Sequence, residues 1–229
     1  MWRIRLCPRP AGKKPELSEK AREQLNRLGV EVRSGAQATA IDSGGVFIGS
    51  ERIVARTVLW AAGVAASPLA KSLGVPLDRA GRVPVTPELT VPGHPEIFVI
   101  GDLASLQQDG KPLPGVAPVA MQQGRHSAEN LRRVIRGEPP LPFRYHDKGS
   151  LAVIGRGAGV AEFTKLRWSG AIAWWAWLLV HIYYLIGFRN RVLVLLEWAW
   201  AYLTWQRGAR LITGGPKAES PPRATSGPA

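Results

Sequence analysis

Cysteine is nearly absent from this 229-residue sequence; Cys7 is the only one. No intrachain disulfide, no CxxC redox pair and no cysteine-ligated cluster can therefore form. The four histidines (His94, His126, His146 and His181) are scattered without metal-ligand spacing and read as surface or packing residues. Acidic residues are also few, 17 against 30 Lys and Arg. That balance suits a polyanion, either nucleic acid or an anionic membrane surface. No zinc-knuckle or RNA-recognition signature accompanies the charge, which puts the membrane first and gives no support to specific nucleic-acid recognition. Gly-x-Gly-x-x-Gly, the turn that lays a pyrophosphate on a helix N-terminus, does not occur. Gly155-Arg-Gly-Ala-Gly159 does not substitute for it, because no helix-forming run with a third glycine at the right offset follows. Residues 1–15 are basic and proline-containing, with no apolar run long enough for a secretory signal. No side-chain nucleophile or acid–base pair stands out.

What the chain does contain starts with Phe98-Val-Ile-Gly-Asp102. An apolar run entering Gly-Asp is how a buried strand delivers a carboxylate to the carboxyl edge of a sheet. There Asp102 accepts hydrogen bonds from sugar-like hydroxyls, and Gly101 lets a ligand approach the backbone. A strand followed by an ordinary Gly-Asp turn is the plainer reading of these five residues taken alone. Upstream, Leu17, Ala21, Leu25 and Leu28 recur at helical spacing, and Gly29 closes that helix. Short strands follow at 30–32, 38–42, 46–48 and 52–54, with Gly44-Gly45 as a hairpin turn. Residues 57–63, Thr-Val-Leu-Trp-Ala-Ala-Gly, read as a buried strand ending in small residues. A short helix near 67–73, a strand at 81–85 and a polar insertion at 107–112 come next. A long helix spans 117–136, with Pro118 in its first turn and Ala120, Gly124, Ala128, Leu131 and Ile135 along one face. Residues 143–145, 150–154 and 159–163 look like a small antiparallel sheet.

The C-terminal third is aromatic. Residues 170–188 carry no Asp, Glu, Lys or Arg, and seven of the nine tryptophans lie between Trp168 and Trp205. Three readings compete. One is a transmembrane helix, since 19 residues at about 1.5 Å each nearly span a hydrocarbon core of about 30 Å. Another is a pair of amphipathic helices lying in the membrane interface, where tryptophan and arginine are favoured. The third is a buried core hairpin. The interface reading is preferred, because Trp174, Trp175 and Trp177 lie inside the apolar run and not at its ends. The break at 187–191 then joins two helices on one side of the membrane, with Trp198 and Trp200 on the second helix and Arg189 and Arg191 at the junction. Residues 214–229, mostly Pro, Ser, Gly and Ala, read as a disordered tail.

Taken in order, these pieces resemble type II NADH dehydrogenase, the single-subunit NADH:quinone oxidoreductase of the two-dinucleotide-domain flavoprotein family. The matching text is Ser18-Glu-Lys-Ala-Arg-Glu-Gln-Leu25, Val30-Glu-Val32, Thr57-Val-Leu-Trp-Ala-Ala-Gly63, Ile97-Phe-Val-Ile-Gly-Asp102, Gly115-Val-Ala-Pro-Val-Ala-Met-Gln-Gln-Gly124, Gly149-Ser-Leu-Ala-Val-Ile-Gly155 and Leu185-Ile-Gly-Phe-Arg-Asn-Arg191. The resemblance implies an α/β fold, an incomplete Rossmann-like two-dinucleotide-domain flavoprotein with a C-terminal membrane-anchoring helix pair. It implies FAD as cofactor and NADH and quinone as substrates of the full-length family. Gly101 and Asp102 then meet the ribityl chain, Gly63 packs near the cofactor, and Ala117, Val119, Ala120 and Met121 form the helix start facing the flavin. Met121 and Gln122 lie on the quinone side. Some members carry a further glutamine where this chain has Pro118. Trp174, Trp175, Trp177, Arg189, Arg191, Trp198 and Trp200 bind the membrane, at the cytoplasmic face of the inner membrane.

The expected organisation is a non-family extension over 1–15, a remnant of the NADH-binding domain over 16–56, the C-terminal part of the FAD-binding domain with its small sheet over 57–165, anchoring helices over 166–212, and the tail from 213. With both glycine-rich units missing, the expectation is a C-terminal portion with little or no activity alone. It would depend on a complementing N-terminal half or a homodimer. The alternative is a non-catalytic peripheral membrane protein derived from such an enzyme.

Overall fold

The computed structural model describes residues 2–6, 15–61, 63–163 and 166–204. Cys7, Trp205, the 214–229 tail and most of the expected N-terminal extension lie outside these residues. The chain divides into two compact units, 1–175 and 176–229.

In the first unit, β1 (Trp2–Leu6) runs parallel to β2 (Val30–Ser34), with α1 (Pro15–Arg27) as the crossover. This is the right-hand-favouring βαβ arrangement in its smallest form. Gly29, at φ +79°, follows the helix in the left-handed conformation that a C-terminal cap requires. The strand before Glu16 is a departure from the expected extension. An antiparallel meander follows, made of β3 (Ala40–Asp42), β4 (Gly45–Ile48) and β5 (Glu51–Val54). Its tight turn is held by the Asp42 carboxylate, whose Oδ1 accepts the Gly44 N–H at 2.8 Å and whose two oxygens accept from Nη2 of Arg52 at 3.0 and 2.8 Å.

The buried strand expected over 57–63 does not form. Residues 57–61 and 63 are irregular, with Trp60 65% exposed. Among the described residues no strand lies alongside them, and an apolar run without a ladder partner has no reason to become a strand.

The core sits just beyond, where α2 (Leu69–Ser72), β6 (Val83–Pro84), β7 (Thr90–Val91) and β8 (His94–Phe98) meet β9 (Ala104–Ser105). Ala70, Val83, Val91, Val99 and Ala104 form one buried cluster, with Leu73, Val75 and Leu77 packed on it. β6 and β9 pair in parallel; β7 and β8 pair antiparallel. The polar insertion is a two-stranded hairpin, β10 (Gln107–Gln108) with β11 (Lys111–Pro112). Next comes α3 (Ala117–Ile135), with proline in its first turn as expected.

Residues 143–145 were expected to be a strand and are not. Instead, side-chain amides hold this stretch. Asn130 accepts from the Leu141 N–H and donates to its carbonyl, each at 2.9 Å. Gln108 treats Tyr145 in the same two-bond way, and Gln122 does so for His146. The small sheet forms from β12 (Ser150–Gly155), β13 (Ala158–Phe163) and β14 (Leu166–Ser169). Its third strand lies after the first two and extends past the 165 boundary expected from sequence. Gln24 of α1 donates to the Gly159 carbonyl at 3.2 Å, tying helix to sheet.

Two helices end the described chain, α4 (Ala171–Tyr184) and α5 (Phe188–Thr204). Among the described residues no helix is long and apolar enough to cross a membrane. Gly187, at φ +82°, breaks the uncharged run. α4 therefore keeps 14 residues, about 21 Å of rise, short of a hydrocarbon core of about 30 Å.

Candidate functional site

β8 ends at Phe98, and Val99 enters the core while Ile100 is already partly exposed. Gly101 then takes φ +67°, which turns the chain into a single 3-10 turn over Gly101–Leu103. A residue with a Cβ is strained at that angle, so the glycine is a backbone requirement. The Gly101 N–H donates to Oε1 of Gln123 at 2.7 Å, and Gln123 is only 1% exposed. This one bond fastens the turn to α3. A Cβ on Gly101 would stand 3.5 Å from the Cβ of Ala120, so turn and helix are in van der Waals range.

The turn presents Asp102 outward. Among the described residues its carboxylate has no hydrogen-bond or ion-pair partner, so its lone pairs are open to an incoming hydroxyl. A Cβ on Gly115 would lie 3.5 Å from Asp102 Oδ1. The segment leading into α3 therefore borders the carboxylate, and any longer side chain at 115 would cover it.

Asp102, Gly101, Gly115, Val119, Gln123 and Arg82 share one cleft of about 140 Å³, with Val64 at its edge. Small-molecule sites run to roughly 300–1,000 Å³, so this cleft matches one arm of a large ligand. Arg82 brings the positive charge, and Asp78 holds it: Nε donates to Oδ2 at 2.8 Å, and the Arg82 main-chain N–H donates to Oδ1. Burial pushes the Asp78 carboxyl up. The main-chain and side-chain hydrogen bonds of Arg82, with others from Ser105 and Ala80, outweigh it and hold the group below the usual carboxylate range.

The sequence-expected residues fall into two groups. Gly101, Asp102 and Val119 line the cleft, and Ala120 touches its turn; Ala117 opens α3, and Met121 lies half-buried on it. Gly63 is exposed at φ +123° in the irregular stretch, and its neighbour Val64 reaches the cleft. Gln122 is committed elsewhere, both ends of its carboxamide being taken by the His146 main chain. Arg82 and Gln123 were not expected. The Asp78/Arg82 spacing and a polar residue in register with Val119 were the available signals.

The anchoring residues also divide. Trp174 and Trp175 stack edge to face at 5.1 Å, and Trp175 stays 57% exposed. Within the 176–229 unit, Trp177 stacks on Trp198 at 5.5 Å and on His181 at 4.1 Å. Trp200 is 62% exposed. Arg191, in the first turn of α5, donates to the Leu185 carbonyl at 2.8 Å with its guanidinium over the Tyr183 ring, whereas Arg189 is exposed.

Residues 4–124 match the pyridine nucleotide-disulphide oxidoreductase family. The chain belongs to that family. The match starts at residue 4, inside the extension expected over 1–15, and takes in the last three residues of β1. Residues 147–205 match the NDH2 C-terminal domain. Two type II NADH:quinone oxidoreductases of Mycobacterium tuberculosis, NdhA and Ndh, are 42% and 39% identical over 87% and 89% of this chain. The chain spans 44% and 45% of their lengths. NDH2 from Plasmodium falciparum, solved in complex with NADH, superposes with a TM-score of 0.76 at 15% identity, over 90% of this chain and 59% of that one. The expected mixed α/β flavoprotein-family fold, and the likeness to the C-terminal part of type II NADH dehydrogenases, are borne out.

Proposed function

We propose that this chain is the flavin- and quinone-side portion of an FAD-dependent NADH:quinone oxidoreductase, peripheral to the cytoplasmic face of an inner membrane. The observation that carries the reading is the placement of an uncommitted carboxylate, Asp102, beside the start of α3 in one cleft. Asp102 would accept hydrogen bonds from the ribityl hydroxyls. Gln123 keeps the Gly101 turn in place, and the α3 N-terminus favours negative charge at the cleft. The flavin supplies two-electron chemistry between NADH and quinone.

A cleft of arm size leaves the rest of the cofactor to other surfaces. The exposed side chains of Leu59, Trp60 and Val64, without a strand partner among the described residues, fit pairing with a complementing polypeptide that brings the glycine-rich turns. The exposed rings Trp175 and Trp200, with Arg189, suit a lipid interface.

The test is reconstitution. Co-expressed with a polypeptide bearing both Gly-x-Gly-x-x-Gly units, the chain should support NADH-dependent quinone reduction. Asp102→Ala should lower kcat/KM by about tenfold or more. Turnover indifferent to Asp102→Ala contradicts the assignment.

A further inference from the structure

A second concavity lies in the 1–175 unit and shares no lining residue with the Asp102 cleft. It is open, about 380 Å³, and formed by Gln122, Arg125 and His126 of α3 facing Phe143, Arg144 and His146. No carboxylate lines it. Both arginines and His146 are exposed, so their donors are available to a ligand.

Its shape is fixed before anything binds. Gln122 clamps the His146 main chain, and Asn130 and Gln108 clamp Leu141 and Tyr145 on either side of Phe143. His126 Nε2 shares a hydrogen with the Leu141 carbonyl at 2.8 Å; since a carbonyl only accepts, that nitrogen donates. Phe143 is buried, and His126 meets it edge to face at 5.4 Å. The aromatic floor is therefore covered and offers no platform for a stacked base, which argues against a nucleobase. What remains for recognition is a pair of guanidinium groups with an imidazole beside them. Planar, forked donors of this kind match a tetrahedral oxyanion.

Asp147, next to His146, accepts from the Gly149 N–H and the Tyr145 hydroxyl, and Glu129 on α3 pairs with Arg132; the carboxylate that pairs with a pocket arginine is Asp109, 3.6 Å from Arg144 across a solvent-exposed gap. So loose an exposed pair contributes little, and a phosphate could displace it. Asp109 sits at φ 52°, where asparagine is equally tolerated.

We propose that this pocket binds a phosphate group, with Arg125 and Arg144 as its clamp, His146 as a lateral donor and Asp109 as an internal competitor. The group comes either from an anionic lipid headgroup or from a free phosphate compound.

The experiment uses the full chain in neutral detergent, titrated with inorganic phosphate by calorimetry. In parallel, the chain is sedimented with phosphatidylcholine vesicles with and without phosphatidylglycerol. Circular dichroism confirms that each variant is folded. Phosphate should bind saturably. Arg125→Gln with Arg144→Gln should weaken it by about tenfold or more. Asp109→Asn should tighten it by about threefold, an effect that a purely structural role for Arg144 does not produce. Lys71→Gln, an exposed charge remote in sequence, should change affinity less than about twofold. If the double variant also loses its preference for phosphatidylglycerol vesicles, the headgroup is the source; if that preference is unchanged, a free phosphate compound is. Absence of saturable phosphate binding, or an equal loss in Lys71→Gln, overturns the proposal.

Discussion

Gln123 is the residue on which the candidate site turns. A buried amide on α3 accepts the N–H of Gly101, the residue that swings Asp102 to the rim. Replacing Gln123 with Leu keeps the volume and removes the acceptor, leaving a backbone donor unpaired. Such a loss costs about 1–3 kcal/mol, and it should appear as a lower denaturation midpoint in urea. Gln123→Glu, which keeps an acceptor oxygen, should lose less. An unchanged midpoint in Gln123→Leu would mean that the Gly101 turn stands without α3. The adjacent Gln122, which the family likeness puts on the quinone side, holds the His146 main chain in this structure. Two adjacent glutamines on a helix point about 100° apart, and single-sequence periodicity does not say which one the core needs.

At the scale of elements, the misjudged segments share one cause. The sequence puts Ala120, Gly124, Ala128, Leu131 and Ile135 along one apolar face of the long helix. Leu131 and Ile135 are exposed, and Val119, Gln123 and Asn130 are buried in their place. Burial on α3 follows the hydrogen-bonding needs of the chain beside it. An irregular segment with free N–H and C=O groups draws amides inward, because those groups must be satisfied. Residues 143–145 alternate like a strand and have amides where a strand partner would be. Residues 57–63 have strand composition and, among the described residues, no partner. Local pattern was enough where the partner is close in sequence, as in α1, the β3–β5 meander and the β12–β13 hairpin. It failed where pairing depends on chain far away.

The helical hairpin makes its own prediction. Trp177 and Trp198 stack on each other, whereas Trp175 and Trp200 present their rings outward. Trp175→Ser with Trp200→Ser should therefore reduce sedimentation with lipid vesicles while leaving helix content intact. Trp177→Ala should instead reduce the helical signal at 222 nm. The reverse assignment, with vesicle binding carried by Trp177 and unaffected by the outward pair, would refute the interfacial reading.

For the whole molecule, the excess of basic residues and the aromatic C-terminal third were plain in the sequence, and so was the order of family motifs. The cleft was legible only in outline, since Asp102 and the Ala117 helix start were anticipated but Arg82 and Gln123 were not. The central claim is that this cleft grips a flavin by its sugar-alcohol arm. It is tested most directly by titrating the purified chain with FAD, riboflavin and lumiflavin, which lacks that arm, and following flavin fluorescence. Riboflavin should bind weakly, within about threefold of FAD, and lumiflavin about tenfold more weakly than riboflavin. Asp102→Ala should erase the difference between riboflavin and lumiflavin. Equal binding of riboflavin and lumiflavin by the unmodified chain would contradict the account.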